Sequence, residues 1–396
     1  MPELGEAGSD TRSGHADVLS GEQPRLLQLL DFDRPQGGSF VPIIGAMLGE
    51  AISRGWKAGA VLFEGCEELP WIGDLRAGGA EVHFVPRGRD RVVGEALREV
   101  LDGHDGPNVM HSHFSGFDMP SLVAGRGRPH DVIVWHVHSV LPRDIWRLSR
   151  ATIKFGLLGR SVDAFFCPAQ NIVDSTIRRR ARRDRVKFVP SAIDVGRFRP
   201  ADAEFRRTAK QNIGVPADRT TLLHFGWHRY WKGGDIFVEV VKELVDRGVD
   251  VIALERGGDE EYTQHAEELG IGEYVQLVAP TDDVRELHAC ADLFLAPSRT
   301  EGMAYAIIET LAVGTPVVAT GIPGHAFLAE HMSACRATRL DATEIADAVQ
   351  EMLGRDPERV ERDRTQAERW IADNLSIEVV AARVVDDYEP LLAARA

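Results

Sequence analysis

The sequence predicts an α/β protein made of two parallel-sheet halves in tandem. Three observations carry that prediction. Short apolar runs of β type alternate with helix-like stretches from Arg25 to about Pro190. A polar segment with two prolines, Pro200 and Pro216, then breaks the rhythm. The alternation restarts at Thr220 and continues toward the last helix.

In the first half the strand candidates are "RLLQLLDF", "AGAVLF", "AEVHFVP", "NVMHSHF", "DVIVWHVH", "DAFFCP" and "VKFVP". They are continuous apolar runs more than strict alternations, as expected of strands covered on both faces. Helical patterns such as "FVPIIGAMLGEAISRG" and "RVVGEALREVL" lie between them. In the second half "TTLLHFGW", "DVIALERG", "YVQLVAP", "ADLFLAPS" and "TPVVAT" play the strand part, with "GGDIFVEVVKELVDRG" and "DDVRELHAC" as helices. The tail from Ser376, a good N-cap residue, reads as one amphipathic helix. The expected division is a disordered leader (1–24), a first Rossmann-like domain (25–190), a linker (191–219), a second Rossmann-like domain (220–375) and a final helix (376–396). Two such halves imply a cleft, and parallel sheets bind ligands at the carboxyl ends of their strands.

Composition narrows the function. Of 396 residues 44% are apolar and 27% charged, which suits a globular protein, and the net charge of -15 argues against a nucleic-acid partner. Cys66, Cys167, Cys290 and Cys335 lie far apart with no C-x-x-C spacing, so reduced thiols in the cytoplasm are expected. The leader "MPELGEAGSDTRSGHADVLSGEQP" has neither the basic start nor the apolar core of a signal peptide. No apolar run reaches the roughly 18 residues of a membrane span.

The stretch "SRTEGMAYAIIETLAVGTPVVAT", Ser298 to Thr320, raises a sharper question. Its helix, "AYAIIETLAV", is apolar all round and should be buried, ending at Gly314 and Pro316. Yet it keeps Glu301 in the preceding loop and Glu309 near its middle, about 12 Å apart along a helix axis. Core glutamates satisfied by arginine or backbone N–H groups are one reading. Two carboxylates accepting hydrogen bonds from the sugar and ribose hydroxyls of a ligand are the other. A helix N-terminus with Gly302 would suit the anionic group between them.

The neighbours of this pair favour the ligand reading. "EGMAYAIIE" with "GTPVVAT" resembles the E-x7-E motif of the retaining glycosyltransferases of family 4, which share the GT-B fold. "FGWHRYWKGG" resembles the family's lysine loop, "VPSAIDVGRFRP" its interdomain segment, Gly37–Gly38 its glycine loop, and "VWHVHS" the strand end that carries its active-site histidine. The resemblance runs from Arg25 to the last helix. It implies two domains facing a central cleft, with the C-terminal helix crossing back to the first. It also implies a nucleoside diphosphate sugar as donor, a small-molecule, glycan or lipid-linked acceptor, and no cofactor or metal. Glu301, Gly302, Met303 and Ala304 would contact the donor sugar, Glu309 the ribose, Lys232 with Gly37 and Gly38 the diphosphate, and His138 the sugar in the active site. The alanine- and arginine-rich composition fits a GC-rich bacterial genome, and so natural-product or envelope glycosylation.

One position departs from the family pattern. Where an arginine usually follows the first glycine of the lysine loop stands Trp227, and Arg229 is the candidate to replace its charge. That departure keeps open a non-catalytic sugar-nucleotide-binding protein. Phosphorylase, hydrolase and epimerase uses of the same fold are further rivals. His111, His113, His136 and His138 form two H-x-H pairs, which leaves a metal-dependent hydrolase as another alternative. Asp282 and Asp283 are expected to open a helix rather than hold a metal. The basic run Arg178–Lys187 reads first as a solvated helix face, and otherwise as weak peripheral contact with an anionic inner-membrane surface.

Overall fold

The computed structural model describes residues 23–138, 145–279, 281 and 283–396, so nearly all of the expected disordered leader lies outside the described residues, as does Asp282. The chain divides into two compact units. The first holds residues up to Pro190 together with Ile377–Ala396, and the second runs from Ser191 to Ser376.

In the first unit the strands are β1 (Arg25–Leu30), β2 (Lys57–Phe63), β3 (Glu81–Val85), β4 (Asn108–His113), β5 (Val132–His136), β6 (Ala164–Cys167) and β7 (Val186–Phe188). They form a parallel sheet in the order β3-β2-β1-β4-β5-β6-β7. Every residue of β1, β4 and β6 is buried, which is why their sequences are apolar runs with few polar interruptions. Leu27, Leu97, Met110, Trp135 and Phe165 join one core cluster. Among the polar interruptions Arg25 is satisfied on the spot: Nε donates to Asn108 Oδ1 at 2.8 Å and Nη2 to the Val100 carbonyl at 2.8 Å.

The second unit repeats the plan with β8 (Thr220–Phe225), β9 (Val251–Arg256), β10 (Val275–Val278), β11 (Leu293–Ala296), β12 (Val317–Thr320) and β13 (Cys335–Thr338). Its order, β10-β9-β8-β11-β12-β13, is that of the doubly wound nucleotide-binding sheet. Strand β13 is too short and polar to have been picked out of the sequence. Residues 191–219 cluster with this unit and contain a helix, Ala203–Ile213, capped by the Asp202 carboxylate and stopped at Gly214. From it Arg206 donates to the Val313 carbonyl and to Thr315 Oγ1, both at 3.0 Å, so it satisfies the end of the helix Tyr305–Val313.

The chain's last helix, Ile377–Ala393, packs on the helix Phe40–Ser53 of the first unit. Arg54, at the end of the latter, bridges the two. Its guanidinium reaches Glu50 at 2.8 Å, Asp386 at 2.6 Å and Glu389 at 2.9 Å. Cys66, Cys167, Cys290 and Cys335 are buried and form no disulfide. No helix among the described residues is long and apolar enough to cross a membrane.

Arg54→Ala should cost about 1 kcal/mol of stability, because these contacts are partly solvated and screened. Arg54→Lys should recover only part of it, since an ammonium cannot fork to several carboxylates. Denaturant melts of the two variants at low and high salt check both statements, and the loss should shrink at high salt.

Candidate functional site

Each sheet has one place where the strand order reverses. It falls between β1 and β4 in the first unit and between β8 and β11 in the second. At such a switch point the loops leave in opposite directions, and open α/β sheets bind ligands in the crevice between them at the carboxyl ends of the strands. The predicted site residues fall on these loops and on those beside them, except Glu309, which lies within the helix after the β11 loop.

In the second unit the loop after β8 leads into a one-turn helix, Arg229–Lys232, that stops at Gly233. Gly233 has φ 73°, and a Cβ there would fall 1.9 Å from the Pro297 carbonyl oxygen, so only glycine fits. This close approach lays the β8 loop on the β11 loop. It puts Lys232 Nζ in hydrogen-bonded contact with the Glu301 carboxylate. Both side chains are largely buried, at 15% and 16% exposure. Ser298 donates its hydroxyl proton to the same carboxylate oxygen at 3.2 Å, and Lys232 also lies 5.2 Å above the Trp227 ring. Arg299 braces the loop. It takes Asp235 in two bonds of 2.7 and 2.6 Å and donates to the Tyr230 carbonyl at 2.8 Å.

Glu301 is followed by Gly302, Met303 and Ala304, which lead into the helix Tyr305–Val313. The first N–H groups of a helix have no partner within it, so this end suits an anion. The Met303 carbonyl is anchored by the Ser191 hydroxyl at 3.3 Å, and Ser191 also bonds Tyr305. Glu309 is buried, with Oε2 3.3 Å from His288 Nε2, and the other nitrogen of His288 meets Thr310 Oγ1 at 2.8 Å. Arg229 is turned toward Glu261, with 3.0 Å between Nη1 and Oε2. Lys232, Glu301 and Gly302 therefore share one patch, Glu309 sits on the helix that leaves it, and Arg229 is engaged to its side.

In the first unit Gly37 and Gly38 form the turn before the helix Phe40–Ser53, with φ 55° at Gly38. Phe40 places its ring edge-on 5.6 Å from His138, which joins the turn to the end of β5. The His138 ring is stacked between His136, at 4.2 Å, and Phe114, at 4.5 Å. Phe114 has φ 64°, a left-handed conformation that is rare and strained for an aromatic residue. His138 Nε2 lies 3.1 Å from His113 Nδ1, and His113 Nε2 lies 2.7 Å from Gln28 Oε1.

Three of the four histidines, His111, His113 and His136, bring possible ligand atoms within 4.8 Å of one another. A metal would have to break a bond of His113, both of whose nitrogens have partners, while His111 Nε2 and His136 Nδ1 are buried without one. Asp283 caps the helix Val284–Cys290 by accepting from the Glu286 N–H at 3.3 Å. In the basic run the helix ends at Arg178, so it is not one helix face. Lys187 pairs with Asp387 at 2.5 Å, Arg182 with Asp184 at 2.6 Å, and Arg185 caps the Val162 carbonyl at 2.6 Å.

Sequence reading had missed Arg299, His288, Phe114, Tyr388 and Glu255. Glu255 is the last residue but one of β9, is fully buried, and has its carboxyl pushed up to about 7 by that burial. Gln28 offered a signal, as the one polar residue inside "LLQLL". Phe114 offered none, because nothing in its sequence context marks a positive φ.

Comparison with known proteins fits this geometry. Residues 65–197 match a family model described as "Glycosyltransferase Family 4", and residues 219–355 one described as "Glycosyl transferases group 1". The D-inositol 3-phosphate glycosyltransferase 1 of Catenulispora acidiphila is 29% identical over 296 residues, covering 65% of this chain and 68% of that protein. The 2-deoxystreptamine glucosyltransferase of Streptomyces kanamyceticus is 28% identical over 217 residues, 52% of this chain and 55% of that protein. Matches to other curated relatives span as little as 34% of their length. The crystal structure of Anabaena HepE in complex with UDP and glucose superposes with a TM-score of 0.76 at 18% identity, covering 92% of this chain and 99% of that one. The fold is GT-B.

Burial holds the histidines neutral, with His111 lowered to about 3 and His113 well below its ordinary 6.5. Above pH 6.5 they are neutral both folded and unfolded. Below it the unfolded chain takes up protons that the folded chain refuses, so stability should fall as the pH drops from 6.5 toward 3. Each fully buried histidine should contribute a slope of about 1.4 kcal/mol per pH unit in that window. Urea melts at pH 7 and pH 5 check this. His111→Gln should flatten the slope, and equal stability at the two pH values would contradict it.

Proposed function

Because the chain belongs to glycosyltransferase family 4, we propose that it moves a sugar from a nucleoside diphosphate sugar to an acceptor hydroxyl, with retention of anomeric configuration. The observation that carries this reading is the Lys232–Glu301 pair at the β8/β11 crevice. A cation and a carboxylate that hold each other here are the two charges such a donor needs. On binding, Lys232 exchanges the carboxylate for diphosphate oxygens. Glu301 is thereby released to accept hydrogen bonds from hydroxyls of the sugar.

The chemistry follows from where charge develops. As the bond to the sugar breaks, negative charge grows on the leaving diphosphate. Lys232 and the helix start at Gly302, Met303 and Ala304 stabilise it there. Arg229 adds a second cation when it leaves Glu261. Glu309 leaves His288 to hold the ribose. Gly37 and Gly38 take the role of diphosphate contacts and His138 that of a sugar contact. The acceptor's proton passes to the leaving phosphate on the same sugar face, so the scheme calls on no metal and no protein base. HepE in complex with UDP and glucose makes UDP-hexoses the first donors to try. Relatives named for D-inositol 3-phosphate and 2-deoxystreptamine make a polyhydroxylated six-membered ring the first acceptor class.

A thermal-shift screen against UDP-, GDP-, ADP- and dTDP-sugars should single out one nucleotide class, because stabilisation follows saturation of the native state. NMR of the product should show the donor's anomeric configuration, and inversion would overturn the mechanism. Lys232→Ala should lower kcat by roughly 10²–10³, the usual cost of removing one donor to a developing oxyanion. Glu309→Ala should chiefly raise the donor KM. Donor binding with no product from any acceptor of that class would instead favour a non-catalytic binding protein.

A further inference from the structure

One polar chain in the first unit is left over by the scheme above. Gln28 lies in the middle of β1, and His111 and His113 on β4 beside it. Tyr388 reaches them from the last helix. Gln28, His111 and Tyr388 are wholly buried and His113 is 1% exposed. None of them is required by the packing of an apolar sheet, and each carries a desolvation cost unless it is bonded. Their bonds, taken together, leave one arrangement of protons.

The order starts at Gln28. Its side-chain nitrogen faces the Met47 sulfur at 3.7 Å, and a thioether can only accept. The amide oxygen is therefore the atom that faces His113, at 2.7 Å. An amide oxygen also only accepts, so His113 Nε2 carries the proton. A neutral imidazole has one N–H, which leaves His113 Nδ1 as a bare lone pair. His138 Nε2, 3.1 Å away, must then be the protonated donor. Neutrality is secured by burial, which lowers His138 to about 3 and His113 well below its ordinary value. On the other side Gln28 bonds the Tyr388 hydroxyl, which meets His111 Nδ1 at 2.6 Å. The amide thus accepts on one side and donates on the other, and both branches agree with a single orientation of it.

The His138 ring is also fixed in space. It stacks on His136 at an interplanar angle of 9° and on Phe114 at 24°, and Phe40 meets it edge-on. The strained backbone of Phe114 keeps its ring in that stack. A clamped ring cannot exchange its two nitrogens by turning over.

We propose that Gln28 and His113 are positioning residues that hold His138 in its Nε2–H tautomer, so that its Nδ1 is offered to substrate as a hydrogen-bond acceptor. The partner it selects is a group with a proton to give, a sugar or acceptor hydroxyl. A phosphate or carboxylate oxygen, being acceptor-only, meets a lone pair there and is disfavoured. The second half of this proposal rests on the reading of His138 as a sugar contact, and the first half does not.

Histidine nitrogens labelled with ¹⁵N report the tautomer directly, and His138→Ala identifies which signals belong to His138. In the wild-type protein at pH 7.5 its Nδ1 should show the shift of an unprotonated nitrogen and its Nε2 that of a protonated one. The reverse pattern would overturn the proposal whether or not sugar transfer occurs. Gln28→Leu, with the shape kept and the acceptor gone, should mix the two tautomers. It should lower kcat by roughly tenfold or more, the scale of a misplaced proton at a catalytic contact. If Gln28→Leu remains folded with the His138 signals unchanged, the relay does not set the tautomer. If the signals change as expected while His138→Ala keeps full transfer activity, the tautomer lock stands and the sugar-contact reading fails.

Discussion

A parallel sheet covered by helices on both faces leaves its polar side chains two options. They bond to one another inside, or they stand at the carboxyl ends of the strands where the loops part. Both units obey this constraint, and their chemistry follows from it. In the second, Lys232 and Glu301 stand on loops at the one pair of neighbouring strands where the winding changes direction. In the first, the same logic draws Gly38 and Phe114 to the loops after β1 and β4, and gathers Gln28 and the histidines beneath them. The position of the site is a property of strand order before it is a property of any side chain.

The Lys232–Glu301 pair shows what the constraint costs. Two charges at about one-sixth exposure lose much of their hydration, and their mutual attraction offsets that loss only while they touch. Removing either partner leaves the other charge without compensation. The link of Glu309 to His288 has the same form on a smaller scale.

Much of this was legible in the sequence. The continuous apolar runs of β1, β2, β8 and β12 announced parallel strands, since a half-buried sheet would have alternated. Glu301 and Glu309 stood out because a helix apolar on every side has no ordinary use for them. What stayed hidden had physical reasons. Strand β13, "CRAT", is a short edge strand and lacks the apolar content that a central strand needs. The basic run reads as a helix face, but its helix ends at Arg178, and beyond it Lys187 pairs with Asp387, Arg182 with Asp184, and Arg185 with the Val162 carbonyl. Arg299 could not be assigned because its partner, Asp235, is 64 residues away and only the fold brings it near.

Phe114 carries the constraint furthest. Gly233 meets a demand for positive φ at no steric cost, because no side chain is wanted where the Pro297 carbonyl approaches. In the first unit Gly38, after β1, meets the same demand, but in the loop after β4 the chain accepts this kind of backbone with a phenylalanine. Left-handed backbone costs a bulky residue roughly 1–2 kcal/mol, which glycine would remove. Glycine would also remove the ring that stacks on His138 and touches Phe32 and Phe40. The strain is therefore retained for the side chain. It marks the ring orientation of His138, rather than the turn itself, as the feature that this loop is built to hold.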